Sequence, residues 1–420
     1  MDIISSSLLD RCFGASISLV WCFDKNSAGK DICSNPITHL RPQDYICLKK
    51  NEKSIETWNW AQEIFNYSEG QVIFYSEPID DAEKKACLNE IFQRIKNLKC
   101  AFIPFKIDKV LLEEAEKEGV VVLSDNIYEL PDKRWIHPAL PESDQDTHYI
   151  NGKRLPKGVN LLPGFSCFSH EDLKNAREIL KRRGITKTVI KNTFSSAGNN
   201  IFFIESDEDF ESALEKIVFK KLIQRNQESC YLIEEMTDFK INEYGECMTP
   251  IVHGVGTYVI PDVLHQIVKG SKYLGASSLK AEPNIAEKCL EQANLISEAL
   301  NLKGTWGIDF VLDANKIPYP IDINIGRMCG SHYFRFFIDL YAKDMEFASF
   351  KIGDFTFKLE ELQKKLTQNK MNFDMTTKKG MMFFRVADEG NLTALFMGDE
   401  DEIDKMRKKL VEITEHSLHH

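Results

Sequence analysis

Gly307-Ile-Asp-Phe-Val-Leu-Asp-Ala-Asn-Lys-Ile-Pro-Tyr-Pro-Ile-Asp-Ile-Asn-Ile-Gly-Arg327 reads as two strands around Asp313-Ala-Asn-Lys316. Asp and Asn close turns through their own side chains, so the flanking runs are expected to pair as an antiparallel hairpin. An even-length loop sets Leu312 opposite Ile317 and Asp309 opposite Pro320. Asp322 then lies diagonal to Asp309 on one side of the sheet, about 7–8 Å away. Asn324, two residues further on, shares that side. The other side, with Ile308, Phe310, Leu312, Tyr319, Ile321, Ile323 and Ile325, is apolar.

A half-buried sheet ordinarily shows water a front of Lys, Thr, Glu and Ser. This front offers two carboxylates and an amide, oxygen ligands of the kind Mg²⁺ takes when water and substrate phosphate complete its shell. Carboxylates this close repel unless a cation sits between them. The competing reading is a solvated acidic face, and an odd loop or a bulge is expected to split the acids across faces. Arg327 ends the second strand, where a guanidinium holds phosphate or carboxylate bidentately or is simply a surface charge.

Outward from the hairpin, 420 residues at roughly 100–200 per domain predict two to four compact units. Hydrophobic residues at 43% and charged residues at 28% are ordinary globular values and exclude a disordered or collagenous chain. The net charge of −11 repels phosphate backbones and anionic head groups, which argues against nucleic acid as the main partner. The apolar run at residues 16–23 is too short to span a bilayer, and Asp2 stands where a signal peptide is basic, so a cytoplasmic protein is expected. Eleven cysteines without a CxxC pair read as reduced, mostly buried thiols rather than a disulfide or zinc scaffold. His416, His419 and His420 resemble a tag remnant and enter no site.

The first 130 residues alternate strands (17–23, 45–48, 72–75, 101–104 and 120–123) with helices (81–98 and 108–119), a βαβ pattern that implies a mostly parallel sheet. No GxGxxG follows the first strand, which opposes a dinucleotide site there. A Pro- and Asp-rich junction spans residues 130–160. Beyond it come a helix opening at Ser169 and ending at Gly184, strands at 186–191 and 201–204, and a helix from Ser206. A strand at 231–235 and a helix over 283–302 follow. The tail is strand, strand, helix: 381–386, 392–397 and 401–413.

Two further segments carry chemistry. Lys191 ends a strand before Asn192-Thr-Phe-Ser-Ser-Ala-Gly-Asn-Asn200, a small-residue loop whose backbone N–H groups can converge on phosphate. A polar hairpin turn is the alternative. Tyr231-Leu-Ile-Glu-Glu-Met236 is an apolar strand stopping in two acids, an edge that can read adenine and ribose or be a solvated strand end.

In this order, the VIK lysine, the LIEEM strand end, a long helix, GTWGIDF and PIDINIGR resemble the ATP-grasp superfamily of carboxylate–amine ligases over roughly residues 100–335. The resemblance implies an α/β chain with an ATP-grasp fold, preceded by a parallel-sheet, Rossmann-like domain and followed by a small α+β segment. The corresponding divisions are 1–130, 131–235 and 236–350 for the two ATP-grasp lobes, and 351–420. Lys191 matches the second phosphate-binding lysine and Lys133 the first. Ser195, Ser196 and Gly198 lie in the lid over the phosphates, and Glu234, Glu235 and Met236 match the adenine and ribose edge. Asp309, Asp322 and Asn324 match the Mg²⁺ (or Mn²⁺) ligands, and Arg327 the adjacent arginine. Asp replaces the commoner Glu in the final strand, Ile-Gly precedes the arginine in place of proline, and the lid is poor in glycine.

Residues 252–278 and the tail are similar to ATP-grasp ligases that join amino acids or peptides, with His253, His265 and Gln266 as candidate substrate contacts or hydrogen-bonded structural residues. The expected reaction activates an acid as an acyl phosphate and joins it to an amine, releasing ADP and phosphate. The expected partners are small acids and amines, amino acids or a peptide, and a homodimer is compatible with this reading. A small-molecule kinase on the same fold and a non-catalytic nucleotide-binding module are the alternatives.

Overall fold

A computed structural model describes residues 12, 17–22, 40–76, 78–98, 100–104, 109–122, 149–150, 153–154, 158–192, 200–219, 221–222, 227–228, 230–237, 245–278, 282–302, 304–325, 330–342, 345–352, 359–386 and 392–414. The chain divides into two compact units. One comprises residues 1–124, 274–279 and 326–420, the other residues 125–273 and 280–325.

The first unit opens with β1 (Ser18–Cys22), β2 (Tyr45–Lys49), α1 (Glu52–Phe65), β3 (Val72–Tyr75), α2 (Asp81–Ile95), β4 (Cys100–Pro104), α3 (Lys109–Glu118) and β5 (Val121–Val122). The strands pair in the order β3-β2-β1-β4-β5, all parallel, as the βαβ alternation predicts. Leu19, Val20, Trp21, Ile46 and Leu48 are fully buried. Such near-continuous apolar runs mark strands covered on both faces. At the strand starts, buried Asp44 accepts from Leu19 N at 2.9 Å and pairs with buried Arg41 at 2.9 Å, so its charge is fully engaged.

The second unit begins with two short pairs, β6 (Tyr149–Ile150) with β7 (Lys153–Arg154) and, later, β11 (Lys221–Leu222) with β12 (Gln227–Glu228). Between and beyond them lie β8 (Gly164–Cys167), α4 (His170–Arg182), β9 (Thr188–Asn192), β10 (Ile201–Ile204), α5 (Asp207–Lys216) and β13 (Tyr231–Glu235). The sheet order is β10-β9-β13-β8, all antiparallel. Ser169 caps α4 by accepting from Asp172 N, and Ser206 with Asp209 forms a capping box on α5. Phe165, Ile190, Tyr231 and Ile233 pack with Leu173, Leu180, Phe210 and Leu214 into the core beneath both helices. Lys191 and Glu234 therefore belong to the face opposite α4 and α5.

The same unit continues through the long strands β14 (Cys247–Val255) and β15 (Tyr258–Lys269). β16 (Lys272–Ser277) follows, where the chain passes from one unit to the other, and then α6 (Pro283–Leu300), β17 (Thr305–Leu312) and β18 (Pro318–Ile325) return to the second unit. The order β18-β17-β14-β15 is antiparallel. Val252, Trp306, Ile308, Phe310 and Ile323 are buried against Ile285, Cys289, Ala293 and Ile296 of α6, so one sheet face is committed to the helix.

The first unit resumes with α7 (Gly330–Tyr341), β19 (Phe347–Ile352), α8 (Leu359–Gln368), β20 (Gly380–Val386), β21 (Leu392–Met397) and α9 (Glu400–Thr414). β19 pairs with β21 and β21 with β20, giving the expected strand, strand, helix tail. Phe65 meets Phe337 edge-on and Tyr341 at a tilt, and the Tyr67 and Tyr341 hydroxyls meet at 3.3 Å, joining the early and late segments of this unit. Among the described residues, no helix is long and apolar enough to cross a membrane.

Candidate active site

The hairpin forms with a register different from the expected one. Leu312 pairs with Pro318 rather than Ile317, so the connection is the five residues 313–317. The Asp313 carboxylate accepts from Asn315 N at 2.9 Å and Ile317 N at 2.8 Å, and Lys316 adopts φ 60°, which closes this longer loop. An odd loop by itself exchanges the faces of β18. The ladder, however, shifts between Asp309 and Phe310. Phe310 pairs with Pro320 and Asp309 with Asp322, leaving Ile321 as the extra residue. The two parity changes cancel. Asp309 and Asp322 come out directly opposed rather than diagonal, and Asn324 follows on the same face, opposite Gly307.

Both oxygens of Asp309 meet an amide. Gln266 Nε2 donates to Oδ1, and Asn324 Nδ2 donates to Oδ2 at 3.4 Å. Gln266 stands on β15 opposite Thr249 while Asp309 stands on β17 opposite Ile251, so the amide reaches across β14. His253, opposite Gly307, shares the carboxylate face and is 1% exposed. His265, opposite Pro250, lies on the other face with Val263, towards α6. Of the three residues expected at a substrate, one contacts Asp309, one is buried beside it and one is turned away.

Lys191 comes to this face from the smaller sheet. Its Nζ pairs with Glu234 and donates to the Ile321 carbonyl at 3.2 Å. Leu232 is the direct neighbour of Lys191, so Glu234, two residues on, is its diagonal partner on one face. Glu234 is 2% exposed, and its carboxylate is anchored by this cation. Gly164 pairs with Glu234, and a Cβ there would stand 2.9 Å from the Glu234 Cβ, so only glycine allows β8 this close.

The backbone N–H groups at the end of β13 are engaged within the fold. Glu235 N donates to Pro163 O at 2.8 Å and Met236 N to Lys187 O at 3.1 Å. Burial pushes the Glu235 carboxyl above its ordinary range. Tyr319 on β18 is raised too, first by burial and then by the charges of Asp313 and Glu235. Tyr319 and Gly164 were not legible as site residues: a tyrosine in an apolar strand and a lone glycine carry no functional signal in one dimension. Lys133, Ser195, Ser196, Gly198 and Arg327 lie outside the described residues.

The donor set fits a hard divalent cation. Two opposed carboxylates and an amide oxygen supply oxygen ligands without sulfur or imidazole, leaving positions for water and phosphate. Among the described residues no group of three His, Cys, Asp or Glu that could hold a metal occurs, so protein carboxylates alone do not make a closed cage.

Residues 169–331 match the model of the ATP-grasp domain. Over 287 residues the chain is 25% identical to the butirosin acyl-carrier protein–L-glutamate ligase of Niallia circulans, covering 63% of this chain. It spans 65% of the length of that relative. The fold is similar to N5-carboxyaminoimidazole synthetase of Staphylococcus aureus complexed with ADP, with TM-score 0.57, 11% identity, and 94% and 97% of the two chains covered. It is also similar to the biotin carboxylase–beta-gamma-ATP complex of Campylobacter jejuni, with TM-score 0.57, 12% identity, and 94% and 91% covered. At these identities the structural likenesses show the fold alone.

Proposed function

We propose, from the premise that residues 169–331 form an ATP-grasp domain, that this protein is an ATP-dependent ligase joining a carboxylate to an amine through an acyl phosphate. The observation that carries the reading is the convergence of a cation and a carboxylate pair. Lys191 bonds the backbone of β18 one residue before Asp322, which itself faces Asp309.

In the proposed reaction a substrate carboxylate oxygen attacks the γ-phosphorus of ATP. The bond to the bridging oxygen breaks and ADP leaves with that electron pair. The amine nitrogen then attacks the acyl carbon, loses a proton, and phosphate departs. Asp309, Asp322 and Asn324 would hold Mg²⁺ or Mn²⁺, whose charge offsets that of the phosphate oxygens. Lys191 holds the transferred phosphoryl group, aided by Arg327, and Lys133 with Ser195, Ser196 and Gly198 bind the phosphates. Glu234, Glu235 and Met236 form the adenine and ribose edge, and His253 stands by for the substrate on the carboxylate face. Activation and positioning supply the rate, so no protein nucleophile is required.

The substrates we propose are amino acids or a peptide. The N. circulans relative is a ligase of L-glutamate and an acyl-carrier protein, which makes glutamate the first amino acid to assay and a carrier-linked substrate the second arm. Acid and amine pairs are screened for ADP and phosphate release with mass detection of the product. An amide product, absent with Asp322→Ala, is expected. ADP release without phosphate indicates a kinase, and full activity in Asp322→Ala overturns the assignment.

A further inference from the structure

We propose that Gln266 is a positioning residue that sets the orientation of Asp309 for the divalent cation, rather than a substrate contact; the proposal rests on the reading of the site given above. Gln266 Nε2 donates to Asp309 Oδ1 from a strand that is not the neighbour of β17. With β14 between them, the two side chains lean towards each other over the carboxylate face, Gln266 from beside Thr249 and Asp309 from beside Ile251. Glutamine has the reach for this and a neutral donor at its end.

The effect on Asp309 follows from its surroundings. Asp322 stands directly opposite, and two like charges at that spacing drive the carboxylates apart. Asp309 Oδ1 lies on the β14 side, where it accepts from Gln266 Nε2. Oδ2 remains on the Asn324 side, towards β18. The amide on Oδ1 thus selects which oxygen faces the ligand pocket shared with Asp322 and Asn324. Donors behind a metal-binding carboxylate act in this way, fixing orientation without touching the ion, and their loss weakens metal binding by about 10–100-fold.

The test is the binding of Mn²⁺, followed by its electron paramagnetic resonance signal, to full-length protein holding a non-hydrolysable ATP analogue. Gln266→Met keeps the length and bulk without the donor, and Gln266→Glu keeps the shape but presents a charge that repels Asp309. Both are expected to unfold within a few degrees of the parent while needing about 10–100-fold more Mn²⁺ for half-saturation. Metal-free nucleotide affinity is expected to be unchanged. A role in packing alone predicts that both variants bind Mn²⁺ like the parent, and that result overturns the proposal. Parent protein that binds the analogue with no dependence on Mn²⁺ overturns the reading of the whole site, which is a different result from parent-like variants.

Discussion

The Lys191 ammonium lies 3.2 Å from the carbonyl oxygen of Ile321, the one residue of β18 that the ladder leaves without a partner on β17. The irregularity that brings Asp322 opposite Asp309 also presents a backbone acceptor to the lysine. One extra residue therefore serves both the anionic and the cationic half of the site.

Removing Lys191 is expected to separate stability from catalysis. Lys191→Met leaves Glu234 buried without its cation and costs about 3–5 kcal/mol in urea unfolding. ATP turnover falls about 10²–10³-fold. Adding Glu234→Gln restores most of the stability and none of the turnover. Recovery of both in the double variant contradicts a phosphate role for Lys191.

Asp322→Asn relieves a directly opposed pair of carboxylates. In metal-free buffer the variant is expected to be more stable by about 0.2–1 kcal/mol, the size of a cross-strand pair, while turnover drops about 100-fold or more. Calorimetry in chelator and an ATP assay measure the two. A less stable variant that keeps its activity is the opposite of this expectation.

Burial raises the Glu235 pKa, so the folded chain holds this proton to higher pH than the unfolded chain does. Its contribution to stability is complete below the unfolded carboxylate value of about 4.3 and is lost as pH rises through the raised folded value. Glu235→Gln has no such titration. The stability difference between the two proteins should shift in favour of Gln across that window, as read by denaturant midpoints at several pH values.

Cys289 is fully buried on the core side of α6, and burial pushes its thiol up to about 12, with Cys247 at about 11. At pH 8 the Cys289 thiolate is roughly one part in 10⁴, against about a quarter for an ordinary thiol. Iodoacetamide labelling followed by peptide mapping should modify Cys289 only on unfolding; rapid native labelling at that position contradicts the packing.

Asp313→Ala removes two acceptor bonds to Asn315 N and Ile317 N at the loop that sets the hairpin register. A cost of about 1–3 kcal/mol is expected, from about 0.5–1.5 kcal/mol per bond. Turnover should fall as well, although Asp313 does not contact Asp309 or Asp322, because the loop length is one of the two features that hold the acids opposed.

Much of the architecture follows from local chemistry. Alternating strands and amphipathic helices in the first unit specify a parallel sheet, and Ser169 and Ser206 start the helices expected of them. Residues 305–325 form the expected hairpin with the isoleucines at 308 and 323 in the core. These properties depend on residues close in the chain, and hydrophobic periodicity reports them directly. The identity of the turn as four or five residues was not legible, because Asp-Ala-Asn-Lys closes either loop and Ile317 suits a strand or a loop.

What the amino-acid order determined by itself was the strand–helix alternation of the first unit, the helices opening at Ser169 and Ser206, the strand, strand, helix tail and the acidic hairpin; the long strands β14 and β15 and the helices α1, α7 and α8 carried no signal read from it. Only the tertiary structure decided who meets whom: Asp309 with Asp322 across a ladder with one residue extra, Gln266 over an intervening strand, Lys191 with Glu234 and the backbone of β18. Periodicity says which side of an element is oily but not how far one strand slides along its neighbour. That offset is chosen by packing under α6 and by satisfying buried polar groups, both of which are properties of the assembled sheets.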